Sequence, residues 1–190
     1  EVRQGAADPG PLSGSVELAA VTYRYPGMGV PVLRDVNMRI EPGDFVALVG
    51  PSGSGKSTAV RLLLGFDVPE SGSVTYDDKD LSSLDLRAVR AQIGVCLQDA
   101  SVTGSDILAA IVGDRPLSED DAWSAAERVG LADEIRALPM GMRTVLGSDA
   151  ATFSGGQRQR LVLAAALARN PRIVILDEAT STLDAITQAR

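Results

Sequence analysis

The chain has 190 residues, 45% of them hydrophobic and 23% charged, with 18 basic against 25 acidic side chains, a formal net charge of −7, one cysteine and no histidine. That length is enough to bury one hydrophobic core, and the acidic excess argues against the phosphate-neutralising surface of a duplex binder, so no nucleic-acid partner is expected. A lone thiol cannot make an intrachain disulfide and zinc-ligand spacing is absent, so the chain reads as intracellular and free of metal sites apart from an ion carried by a substrate. Without imidazole it has no His triad, no His-ligated metal and no His general base.

Glu1 stands where a methionine would start a polypeptide, which points to a segment of a longer chain. The stretch Gly5 to Gly14 has linker composition and needs no fold. Val16–Tyr25 and Val32–Ile40 read as strands, the second closed by the turn Glu41-Pro42-Gly43-Asp44. Phe45–Val49 is a near-continuous apolar run, the pattern of a strand buried on both faces of a parallel sheet. A Gly-rich loop follows, then a helix over Ser57–Leu64. Further on come a short strand at Ser73–Tyr76, a helical turn or two at Leu86–Gln92 and a buried strand at Ile93–Leu97. From Ser105 to Arg136 the apolar spacing is helical, with Ser118 and Asp121 forming a capping box ahead of a helix that carries Trp123. Ser154 caps a long helix ending near Asn170-Pro171, and Ile173–Leu176 is one more buried strand. Strands alternating with helices predict an α/β domain with a mainly parallel sheet. The longest apolar run, Leu161–Ala168, is too short to cross a bilayer, and a soluble piece is expected.

Three motifs carry chemistry. Gly50-Pro51-Ser52-Gly53-Ser54-Gly55-Lys56-Ser57-Thr58 lies between a predicted buried strand and a helix and fits G-x-x-x-x-G-K-[ST] in the context that pattern requires. Its glycines let successive N–H groups turn inward on phosphate oxygens, the helix start adds partial positive charge, Lys56 adds a full one, and Ser57 offers a hydroxyl to Mg²⁺. At Ile173–Glu178 an apolar strand delivers Asp177 and Glu178 at its C-terminal end, where Asp177 suits a Mg²⁺ shell and Glu178 suits polarisation of an attacking water. The run Phe153-Ser154-Gly155-Gly156-Gln157 is a second helix start with glycine amides, a capping Ser154 and Gln157 placed to reach back, hence a second anion-binding end.

In this order, from about Val16 onward, the motifs resemble the nucleotide-binding domain of an ATP-binding-cassette transporter. That resemblance implies a P-loop NTPase fold: a mainly parallel RecA-like sheet, an antiparallel β subdomain and an inserted α-helical subdomain. Residues 1–14 would be a linker from an upstream transmembrane region. Residues 15–190 would be the ATPase domain, with a core of 15–98 and 160–190 and a helical subdomain at about 99–159. The resemblance casts Gly50 to Thr58 as the phosphate loop, Gln98 as the glutamine-loop residue that contacts water or Mg²⁺, and Ser154 to Gln157 as the signature. It casts Asp177-Glu178 as the acidic pair and Asp184 as a dimer-contact residue. Tyr25 falls where the family stacks an aromatic on adenine; as a residue it can equally be a plain strand aromatic. Phe153 stands at a usual leucine.

The implied ligands are ATP and Mg²⁺. The implied partners are a second copy, paired head to tail so that each signature closes on the other's ATP, and a transmembrane domain of the same polypeptide at the cytoplasmic face of a bacterial membrane. Gly104-Ser105-Asp106-Ile107 and the approach to the signature resemble exporters. Leu63-Leu64-Gly65-Phe66, Tyr76-Asp77 and Asp80-Leu81 are most similar to exporters of bacteriocin-like peptides, although Ser148 and Asp149 stand where exporters commonly carry a glutamate. The family also has a histidine on a loop after a further strand. Neither is in these 190 residues, so the sequence reads as C-terminally truncated, with a central gap in the sheet expected. Three activities stay open: an export ATPase, a fragment that binds nucleotide with little turnover, and a soluble ATP-gated clamp of the same superfamily. Cys96 reads as a buried small hydrophobe, Trp123 as packing, and Arg158 and Arg160 as a solvated or dimer-facing helix side.

Overall fold

The structure, a computed structural model, describes residues 6–97, 102–146 and 153–177; Gln98, Glu178 and Asp184 lie outside them. The chain divides into two compact units that meet in sequence at Ile93 and Gly94.

In the first unit, β1 (Val16–Tyr23), β2 (Leu33–Ile40), β3 (Ser71–Tyr76) and β4 (Lys79–Asp80) form an antiparallel sheet in the order β2-β1-β3-β4. Val16, Leu18, Val21 and Tyr23 are buried, and their alternation slips between Leu18 and Val21 because Ala20 takes a positive φ of 51° and bulges. The Ala20 N–H then donates to Asn37 Oδ1. Gly72 of β3 (φ 84°) runs so close beneath that a Cβ there would collide with the Ala19 and Ala20 carbonyls, so only glycine fits. β3 and β4 are joined by Asp77 and Asp78, both at positive φ (49° and 60°), the backbone of a two-residue primed turn. That hairpin was not foreseen.

Helix α1 (Lys56–Leu63) buries Thr58, Ala59, Val60, Leu62 and Leu63. Its C-terminal carbonyls are satisfied from outside the helix: Tyr76 Oη donates to Leu63 O at 2.8 Å, and Arg90 donates from Nε to Leu64 O at 2.7 Å and from Nη2 to Gly65 O at 2.9 Å. Burial drives the Tyr76 phenol well above its ordinary pKa, so it stays a donor. Arg90 belongs to α2 (Leu86–Arg90), which Asp85 caps.

Residues 6–14, expected to need no fold, form a strap bound to this unit. Pro9 and Leu12 are buried, and Ala7 bridges Leu84. Gln92 donates to Gly10 O and accepts from the Leu12 N–H, both at 2.8 Å. Asp77 accepts from the Ser13 N–H and hydroxyl. Composition suggested a linker because it is blind to a single buried leucine and to partners about 60 to 80 residues away.

A second expectation also fails. Phe45–Val49 forms no strand, and Phe45 and Val49 are 95% and 92% exposed. Such a run becomes a buried strand only with neighbours supplying hydrogen bonds on both edges, and no described strand pairs with it.

In the second unit, β5 (Ile93–Cys96) pairs with β6 (Ile173–Leu176), the only described neighbour of each. Val174 and Leu176 are therefore partly exposed, not buried as expected. Gly94 is required in β5: a Cβ there would lie 2.7 Å from Ala166 O. The helices are α3 (Ile107–Val112), α4 (Glu119–Arg128), α5 (Ala132–Arg136) and α6 (Gly155–Leu167). Their shared core includes Ile107, Ile111, Leu131, Ile135, Met142, Phe153 and Leu161, and full burial of each such side chain contributes about 1.5–3 kcal/mol. Ser118 and Asp121 form the predicted capping box of α4.

Candidate nucleotide site

In the first unit the candidate site is the start of α1. Gly53 and Gly55 hold φ of 80° and 95°, which bends the loop back on itself, and a Cβ on Gly55 would meet Leu33 Cδ2 at 2.7 Å. A Cβ on Gly50 would sit 2.8 Å from Ser54 Oγ. Gly50, Ser52, Gly53, Ser54 and Ser57 are exposed. Gly55 is the N-cap, and no side chain caps the helix. The first N–H groups of α1 therefore have no competing side-chain acceptor, and the helix dipole adds partial positive charge where they point.

Lys56 Nζ donates to Gly50 O at 2.9 Å and Pro51 O at 3.0 Å, so its charge lies over its own loop. A glycine cradle with an uncapped helix start and an ammonium across it fits a polyphosphate. Thr58 is buried, and its hydroxyl lies 3.1 Å from Tyr25 Oη. The half-buried Tyr25 ring packs edge-on against Tyr23, with centroids 5.1 Å apart. The loop and Tyr25 are thus brought together in the first unit.

The second unit carries a glycine-containing helix start of its own at α6, where Ser154 and Gly155 are exposed. Ser154 Oγ accepts from the Gln157 N–H at 3.2 Å, and Gln157 Oε1 accepts from the Ser154 N–H at 2.7 Å, the full capping box anticipated from sequence. Because Oγ serves as acceptor inside the box, the Ser154 hydroxyl proton is left to donate elsewhere. Arg158 donates to Phe153 O at 3.0 Å. Arg160, read as part of a solvated or dimer-facing helix side, pairs with Glu134 at 2.8 Å and donates to Gly130 O. Neither partner lies within helical reach of α6 in sequence, and no local pattern announces Glu134.

Asp177 follows β6 and its N–H donates to Cys96 O at 2.8 Å, which fastens it beside the end of β5, two residues before Gln98. Burial raises the Cys96 thiol, consistent with an inert packing residue. No three His, Cys, Asp or Glu residues cluster for a metal among the described residues. No described helix is long and apolar enough to cross a membrane.

The comparisons agree with this geometry. The family profile described as ABC transporter matches residues 33–181. The chain is 43% identical over 174 residues to the alpha-hemolysin translocation ATP-binding protein HlyB of Escherichia coli O157:H7, covering 91% of this chain and 25% of that protein. It is 42% identical over 179 residues to the ATP-dependent lipid A-core flippase of Bordetella pertussis, covering 93% and 29%. Its structure resembles that of a bacterial Atm1-family ABC exporter with ATP bound, with a TM-score of 0.86 at 32% identity, over 98% of this chain and 34% of the other. The chain thus spans between 25% and 34% of the length of these relatives.

Proposed function

The chain belongs to the ABC transporter family and has the P-loop NTPase fold of its ATPase domain; from that premise we propose that it binds and hydrolyses ATP to power export, through ATP-driven head-to-tail pairing of two copies. The observation that carries this reading is the start of α1, a glycine cradle without a capping side chain, crossed by Lys56. Residues 1–14 are read as the connection from a transmembrane domain of the same polypeptide, 15–190 as the ATPase domain with its helical part at about 99–159, and the site as the cytoplasmic face of a bacterial cell membrane.

Each residue then has a task. Tyr25 stacks on adenine. The amides from Gly50 to Thr58 and the Lys56 ammonium hold the phosphates, Lys56 exchanging its loop carbonyls for phosphate oxygens. Mg²⁺, when bound, neutralises charge on the phosphate oxygens, and Ser57, Gln98 and Asp177 are the residues that would hold it. Glu178 polarises a water that attacks the γ-phosphorus as the bond to the β–γ bridging oxygen breaks, giving ADP and phosphate. Ser154, Gly155, Gly156 and Gln157 of a second copy complete the cage, and Asp184 lines the contact. Since ATP touches both copies only when they are paired, binding favours the closed state and hydrolysis removes the bridge.

We read the cargo as a peptide of the bacteriocin type. Leu63-Leu64-Gly65-Phe66, Tyr76-Asp77 and Asp80-Leu81 support this, as does the likeness to a protein named for alpha-hemolysin translocation. The likeness to a lipid A-core flippase favours lipid cargo as the competing reading. Steady-state ATP hydrolysis by the intact protein, abolished by Glu178→Gln, is the expected result. Full activity in that variant, or none in the unsubstituted protein, would overturn the assignment. Peptide against lipid translocation in proteoliposomes decides the cargo.

A further inference from the structure

The start of α6 is held by a side chain from outside its own motif. Glu134 of α5 has both carboxylate oxygens engaged on α6: Oε2 accepts from Gln157 Nε2 at 2.5 Å and Oε1 pairs with Arg160 Nη2 at 2.8 Å. Gln157 has one amide to share between two neighbours. Its oxygen accepts from the Ser154 N–H while its nitrogen faces the carboxylate. Turning that amide over would set its oxygen against a carboxylate and its NH₂ against an N–H, so Glu134 fixes the orientation electrostatically. Arg160 holds Glu134 in turn. Its Nη1 donates to Gly130 O, and its buried Nε has no hydrogen-bond partner among the described residues, so the Glu134 carboxylate is the charge that compensates this guanidinium.

We propose that Glu134 is a positioning residue for the ATPase reaction: by orienting the Gln157 amide and anchoring Arg160 it locks the Ser154 cap, so that the Ser154 hydroxyl proton points out of the helix start toward the phosphate held by the second copy. This rests on the proposed function, since it needs a nucleotide to face α6. Glu134 itself touches no nucleotide. A Gln at 134 retains the length but has one acceptor oxygen for two donors, and its NH₂ then faces either the Gln157 amide nitrogen or the Arg160 guanidinium.

In the intact protein, Glu134→Gln is expected to lower kcat about 10-fold through loss of alignment, while ATP affinity at the phosphate loop of the same chain stays within about 2-fold. Added to Gln157→Ala, Glu134→Gln should cost less than about 2-fold more, because it acts through that amide. A kcat within about 2-fold of the unsubstituted protein overturns the proposal. So does a loss that multiplies in full with Gln157→Ala and tracks the melting temperature, the behaviour of a merely structural ion pair. The Gln157 side-chain amide resonances, identified by their disappearance in Gln157→Ala, decide the point without turnover. They should be displaced from free-glutamine positions in the unsubstituted protein and move in Glu134→Gln; free-glutamine positions from the outset overturn the proposal. If the unsubstituted protein hydrolyses no ATP, the family function falls, while these resonances still report on Glu134.

Discussion

The starts of α1 and α6 are both exposed, glycine-rich and followed by a helix, and both read from sequence as anion-binding ends, yet they are finished in opposite ways. At α1 the N-cap is Gly55 in the left-handed region and no side chain accepts from the helix amides. At α6 the N-cap is Ser154 in extended backbone, and a complete box with Gln157 satisfies two N–H groups. An uncapped start leaves donors unspent and invites a ligand to end the helix. A boxed start spends two of its amides, leaves those of Gly155 and Gly156, and adds a hydroxyl proton. Glycines at a helix start therefore do not identify the donor; the cap does. The box at the start of α4, Ser118 with Asp121, is a third case in which no ligand is in question.

The largest expected effect tests the uncapped end. Lys56→Ala should lower ATP hydrolysis about 1000-fold, at the upper end of what loss of a charge-stabilising donor costs, and should weaken nucleotide binding measured by fluorescence titration. Ser154→Ala should act differently. Hydrolysis is expected to fall about 100-fold and folding stability by about 1 kcal/mol, with nucleotide affinity unchanged, a split visible in parallel turnover, titration and urea-melt experiments. Ser118→Ala is the control: the same loss of about 1 kcal/mol in urea with hydrolysis unaltered. A drop in turnover there would mean that any disturbed cap in this unit is felt at the site.

The smallest effect separates the two boxes by pH. Asp121 occupies the third position at α4, where the Ser118 N–H and hydroxyl hold its carboxyl below the usual range. A depressed carboxylate contributes stability present above its unfolded pKa of about 3.9 and lost as pH falls through the folded value. Gln157 does not titrate, and Glu134→Gln removes the carboxylate that faces it. In that variant amide exchange at pH 3 should therefore rise at the start of α4 and stay flat at the start of α6, and adding Asp121→Asn should remove the difference.

What could be read in the sequence follows from how far apart the interacting residues are. The phosphate loop, the Ser118 and Ser154 boxes and the helices were legible because their determinants lie in short continuous stretches, three residues apart in each box and eight from Gly50 to Thr58. Tyr25 was legible only as a choice between two roles, and its hydroxyl on Thr58 places it by the loop without deciding stacking. Phe45–Val49 was misread because its composition fits a central strand, while strandedness is decided by neighbours that no described residue supplies. Arg160 read only as a solvated or dimer-facing side chain, because its partner Glu134 arrives from α5. The Asp77-Asp78 turn escaped because aspartates are less diagnostic of positive φ than Asn-Gly.

The strap over residues 6–14 has a mechanical meaning. Tension applied to the chain ahead of Ala7 would not pass straight into β1 at Val16. It would be borne first by the Ala7–Leu84 bridge, then by the two Gln92 bonds, then by Ser13 on Asp77, three anchors loaded in series. Two of the three are on or beside α2, whose Arg90 holds the last carbonyls of α1. A pull on the strap is thus delivered to the far end of the phosphate-loop helix, about as distant from the cradle as that helix allows.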